Sequence, residues 1–190
     1  MYGRRPYSVL LKKDMKRSSK TALGAIIAAL ATALMLVSYF PYFTYAVPAV
    51  CGLFMMIPLI ETGVAWALGS YAVSAALSLV LAEPESALLY AFLFGYYPVL
   101  KAVIERLHNA VLEWIIKLVV FNLAAAAAMF IFVKVFSGLG ISETFADFKY
   151  GAVTFIVLCE IAFVLYDIAI SRVSVFYMTR LHPRIKKLIK

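Results

Sequence analysis

Residues 90–122, YAFLFGYYPVLKAVIERLHNAVLEWIIKLVVFN, carry Lys101, Glu105, Arg106, Glu113, Lys117 and Asn122 within an otherwise apolar run. Glu61, Glu160 and Asp167 interrupt other apolar runs. These residue types form ion pairs, hold protons or grip polar ligands. A charge at the centre of a bilayer costs ~3 kcal/mol or more, so such groups face protein and take partners. Lys101 and Glu105 are four apart and can pair on one helix face. With Arg106 they read as a solvated helix end, or as a dock for a cytoplasmic partner. Lys117 falls roughly 7–10 Å inside the inner surface at 1.5 Å per residue, and Asp167 about as deep. The two can form a structural ion pair, with Glu113, one turn before Lys117, as a second acid. Glu160 and Asp167 are seven apart and share one helix face. Glu160 and Asn122 fall near mid-depth. Either Glu160 is protonated and bonded to Asn122, or it reaches a cationic or hydrogen-bonding ligand.

Elements of unusual length must position these groups. The chain has 190 residues, 65% of them hydrophobic and 15% charged. Soluble domains stand nearer half apolar and a quarter charged, so the excess faces lipid and the chain reads as one all-α integral membrane domain. The net charge of +8 does not indicate nucleic acid, because the basic residues gather at the two ends and in one loop. That distribution belongs to a protein oriented by the inner membrane face. The apolar run after the basic first twenty residues is too long for a signal peptide, and reads as a retained span.

Hydropathy and turn residues predict six spans, at about 21–40, 47–60, 64–81, 87–104, 111–135 and 150–171. Pro41 ends the first, Glu61-Thr62-Gly63 separates the second from the third, and AEPES (82–86) and SGLGISETFADFK (137–149) form loops. With residues 1–20 and the tail 172–190 both cytoplasmic, fifteen of the eighteen Lys and Arg lie inside. The expected location is the cell membrane, crossed six times.

Ala22, Ala25, Ala29 and Ala33 form a small-residue stripe on the first span. It lets another helix approach closely, either within the bundle or from a different protein. Tyr39, Phe40, Tyr42, Phe43 and Tyr45 gather at the outer side, as an interfacial belt or as a cover over a ligand. Cys51 and Cys159 lie in apolar runs and read as small buried hydrophobes. No Gly-rich phosphate loop, GxGxxG, HExxH or GxSxG occurs, and His108 and His182 are far apart. No catalytic residue, cofactor or metal is therefore expected, and the chain does not read as an enzyme.

In size, span number and orientation, the chain resembles the substrate-binding S components of energy-coupling factor (ECF) transporters. KTALGAIIAALATALMLV (20–37) is similar to their first helix, with Ala25 and Ala29 matching its Ala-x-x-x-Ala pattern. The short spans around ETGVAWALGSYAVSAALS and the Pro-ended loop after the first span are similar too. The stretch 90–122 also resembles that of an uncharacterised bacterial membrane family. The resemblance implies a binder of a vitamin or similar micronutrient, working with a transmembrane coupling protein and cytoplasmic ATPases. It places Ala25 and Ala29 at the coupling-protein contact. The loop 41–48 would be a lid, and the solute would meet Tyr39, Tyr42 and Tyr45, with Asn122 and Glu160 as polar floor. Two readings stand beside it. One is a membrane scaffold that binds a protein and no solute. The other is a lipid-active protein using Glu61, Glu113, Lys117 and Asp167 near the inner surface.

Overall fold

The computed structural model describes residues 16–40, 42–107, 109–136 and 151–181. The basic segment 1–15, Pro41, His108, the loop 137–149 and the tail 182–190 lie outside the described residues, with the expectations placed on them. Among the described residues every regular element is helical, and no strand occurs. Five helices are long and apolar enough to cross a membrane: Arg17–Tyr39, Val64–Leu81, Pro84–Leu107, Ala110–Ile131 and Val157–Arg180. The protein thus has the character of a helical membrane protein.

The chain divides into two compact units, Met1–Phe132 and Val133–Lys190. In the first, α1 (Arg17–Met35) continues as a tight 3-10 turn through Leu36–Tyr39. The segment expected as a short second span, 47–60, is helical. It is a shorter apolar helix, Ala46–Thr62, broken into α2 (Ala46–Phe54) and α3 (Met56–Thr62). Proline explains the break. Pro58 has no N–H to give to the carbonyl of Phe54, and its ring crowds that carbonyl. The helix tightens at Met55, whose N–H bonds Gly52 O at 3.1 Å, and restarts beyond it. At Gly63 the chain turns with φ 99, a left-handed backbone that favours glycine. Then α4 (Val64–Leu81) begins.

The next long helix is interrupted for the same reason. It starts as α5 (Pro84–Leu89) with proline in its first turn, widens to a π-turn at Tyr90–Phe94, and resumes as α6 (Tyr97–Ile104). Pro98 lies four residues after Phe94 and cannot donate to it. The Gly95 N–H instead reaches Tyr90 O at 2.8 Å, a five-residue step. A short 3-10 turn, Glu105–Leu107, leads to α7 (Ala110–Phe136). Asn109 Oδ1 caps this helix by accepting the Val111 N–H at 3.2 Å. In the second unit, α8 (Gly151–Phe176) ends in a π-turn, Tyr177–Leu181. Phe163, Asp167, Ile170 and Ser174 are buried along one of its faces.

The closest packing in the first unit joins α1 to α4. A Cβ on Gly24 would stand 2.6 Å from Ser70 Oγ. At the other end Tyr39 donates its hydroxyl to Leu81 O at 3.1 Å. The two contacts give nearly the same offset along the chain, so α1 and α4 run parallel. Gly24, Ala28, Ala31 and Thr32 are buried on α1, and Ala67, Ser70, Ser74 and Ser78 on α4. Both faces are made of small residues, so the backbones approach closely. Beyond this seam, Met35, Cys51, Met55, Ala75, Ala87 and Tyr90 close the core.

Candidate functional site

The three tyrosines of the expected ligand group stand at the surface of the first unit. Tyr39, Tyr42 and Tyr45 are exposed, Tyr42 at 95%. The Tyr39 hydroxyl is held by Leu81 O, and Tyr45 donates to Glu85 Oε1 at 2.8 Å. They form a rim at one end of the first unit, because the turn before α2 carries them outward. The bond to Glu85, then burial and the charges of Glu85 and Glu83, push the Tyr45 phenol up to about 12. Asn122 is exposed on α7 and returns its amide to Leu118 O at 2.9 Å on its own helix. Asn122 lies in the first unit, and half-buried Glu160 in the second.

At the α6–α7 connection two lysines share one acid. Lys117 Nζ lies 3.4 Å from Glu105 Oε1, and Lys101 Nζ lies 3.4 Å from the same oxygen. Lys117 turns to this acid across the α6–α7 connection rather than one turn back to Glu113. Asp167 is buried in the second unit. Lys101, expected as a solvated helix end, is 1% exposed, and Lys117 is 4% exposed. The reason is local. The 3-10 turn after α6 folds Glu105 back over both ammonium groups, so one carboxylate, a quarter exposed, is shared by two lysines from adjoining helices. Trp114 adds its ring 5.5 Å from Lys117 Nζ. Glu61 is buried at the end of α3. This cluster clamps the α6–α7 connection.

On α1, Ala22, Ala25, Ala29 and Ala33 are all exposed, with Ile26 and Leu30 beside them. The stripe is not used for packing among the described residues of α1. The helix turns Gly24, Ala28 and Thr32 inward instead.

A second polar cluster was not expected. Where the π-turn interrupts the fourth long helix, Ser74 Oγ and Tyr90 Oη are 2.7 Å apart. The Tyr71 hydroxyl donates to Ala91 O inside the π-turn. The Tyr71 ring stands 6.1 Å from those of Tyr90 and Tyr96. Gly95 makes room for it, since a Cβ there would meet the Tyr71 ring at 2.7 Å and Tyr90 O at 2.9 Å. One turn beyond Ser74, Ser78 Oγ is fully buried and has no hydrogen-bond partner among the described residues. A buried hydroxyl left so costs roughly 1–3 kcal/mol.

No protein-family model, curated protein or solved structure matches the chain.

The sequence signal for this second cluster was available. Pro98 announces an interruption at Phe94, and Tyr71, Ser74 and Ser78 recur at three- and four-residue spacing on α4. Hydropathy hides it, because isolated serines and tyrosines barely lower the mean of an apolar span.

Proposed function

We propose that this chain is a non-catalytic subunit of a multiprotein assembly in the cell membrane, with both termini in the cytoplasm. In its specific form it is the substrate-binding subunit of an ECF-type importer for a vitamin or similar micronutrient. A transmembrane coupling protein and separate cytoplasmic ATPases are its partners. The observation that carries this reading is the bare alanine face of α1. Ala22, Ala25, Ala29 and Ala33 stand exposed, while the neighbouring small residues of the same helix are already used against α4. A face of this kind admits a partner helix at short range. The sequence resemblance supplies the class of partner and cargo.

Isolation from native membranes in mild detergent, followed by mass spectrometry of proteins and small molecules, tests it. The expected result is an integral membrane partner, an ATPase pair and a bound solute. Ala25→Leu and Ala29→Leu should remove the protein partners and leave the solute. An intact complex in both variants would remove α1 from the interface.

One observation favours a second reading, a scaffold that binds protein alone. The rim tyrosines point outward, and the core beneath them is filled by Met35, Cys51, Met55 and Tyr90. That reading expects the same protein partners with no small molecule.

A further inference from the structure

We propose that α7 carries a self-association face: two copies of this chain pair side by side along a seam of six residues, and their Asn122 amides hydrogen-bond to each other across the two-fold axis. The inference goes beyond the reading above and concerns a different helix from α1.

Three observations lead to it. First, the two sides of α7 differ. Lys117 and Ala128 are buried on one side. On the opposite side Leu112, Ile115, Val119, Asn122, Ala126 and Met129 are all exposed. Second, these six residues recur at alternating steps of three and four. That spacing keeps one seam of a helix against one partner helix along its length. Third, the seam has a polar centre. Asn122 lies roughly 18 Å along the apolar helix Ala110–Ile131, whose length is about 33 Å. Hydrocarbon at that depth offers an amide nothing to bond, so exposure there is unfavourable. The side chain bonds Leu118 O at 2.9 Å on its own helix. A carboxamide has two N–H donors and an oxygen that accepts twice, so it can keep that bond and still reach across to another helix.

The amide also selects the occupant. The other five seam residues are apolar, and shape alone would admit any apolar helix. Asn122 asks for a group that both donates and accepts, at its own depth. Two copies of one chain share one orientation in the membrane, so a symmetric pair sets Asn122 opposite Asn122 with no further adjustment. Each amide then gives an N–H to the oxygen of the other. A single asparagine on such a seam fixes the register of paired helices. Ala126, one turn further on, is small enough to let the two backbones close to the short range that this bond needs.

The test reconstitutes the full-length chain in phosphatidylcholine vesicles, with copies labelled by a donor or an acceptor fluorophore. Energy transfer is followed as added lipid dilutes the protein, which gives a dissociation constant in mole fraction. Asn122→Leu should weaken association at least ~5-fold, the scale of interhelical amide bonding in lipid. Asn122→Gln, which keeps the amide, should stay within about twofold of wild type. Ala126→Leu should weaken association as well, by holding the backbones apart. Melting temperatures in detergent are recorded alongside. Asn122→Leu should melt at or above wild type, so that lost association is not lost folding. If wild type stays monomeric at every dilution, lipid or a different protein covers the seam and the proposal falls. It falls too if Asn122→Leu associates as tightly as wild type, or if Asn122→Gln is as weak as Asn122→Leu. None of these results bears on the partners of α1, so the reading above stands or falls separately.

Discussion

The α1 helix carries two stripes of small residues, offset by a single position, and they meet different fates. Gly24, Ala28 and Thr32 are buried against the serine row of α4. Ala25, Ala29 and Ala33 are bare. The chemistry of the two stripes is nearly the same, so spacing within α1 does not decide which is used. On the covered stripe Gly24 faces α4, where an added Cβ would stand 2.6 Å from the Ser70 hydroxyl. The contrast between a covered and a bare region repeats among the polar groups. Glu105 bridges two buried lysines, whereas the Tyr45–Glu85 bond stands on an exposed rim.

The sharpest break of this contrast is at the covered acid. Glu105→Ala should leave two buried ammonium groups without their shared carboxylate. Losing one partner of a buried pair costs 3–5 kcal/mol, and since Glu105 is itself a quarter exposed the expected loss is about 3 kcal/mol. Urea unfolding in mixed detergent measures it, and a change under 1 kcal/mol would show that the bridge is ornamental. Next in size is the covered small face. Gly24→Leu overpacks the α1–α4 seam and should destabilise by roughly 1–3 kcal/mol in the same assay. Gly95→Ala should cost a similar amount, because one of its clashes is with backbone, at Tyr90 O. Equal stability for Gly24→Leu and Ala29→Leu would erase the distinction between the two stripes.

On the bare side, stability effects shrink. Tyr45→Phe at pH 8 should cost no more than about 0.5 kcal/mol, as expected of an exposed hydrogen bond. Its pH dependence has a definite sign. The folded phenol is raised to about 12 from an ordinary value of 10.0, so the fold favours the protonated form. The contribution is complete below pH 10 and disappears as pH rises towards 12. The wild-type advantage over Tyr45→Phe should thus be smaller at pH 11.5 than at pH 8. Smallest of all is Ala29→Leu, with a stability change near zero and its whole effect on partner recovery.

How much of this was legible in the sequence depends on which force decided each feature. Apolar length reveals long helices, because lipid imposes it on every residue at once. Gly63 marks a turn because few other residues adopt its backbone. The break between α2 and α3, and the π-turn before α6, escaped a reading by hydropathy. Each is caused by one proline acting on the carbonyl four residues earlier, Pro58 on Phe54 and Pro98 on Phe94. The burial of Lys101 escaped as well. A lysine at the end of an apolar helix looks solvated until Glu105 folds back over it. Lys117 was expected to pair with Asp167 or Glu113, and depth says nothing of a 3-10 turn that brings Glu105 within 3.4 Å as well. The rim tyrosines stand at one end of the first unit, and their direction follows from the turn that carries them.

The parallel course of α1 and α4 has a consequence for biosynthesis. Two helices running the same way cannot be adjacent hairpin arms, so the chain must return through α2 and α3 before the seam can close. While the chain is being made, Gly24 waits for a partner forty-six positions downstream at Ser70. Until then the first helix enters the bilayer with both small faces open to lipid and to any passing helix. A nascent chain halted before Val64 is therefore the form most exposed to wrong pairing, and arrival of α4 is the event that leaves a single stripe on offer.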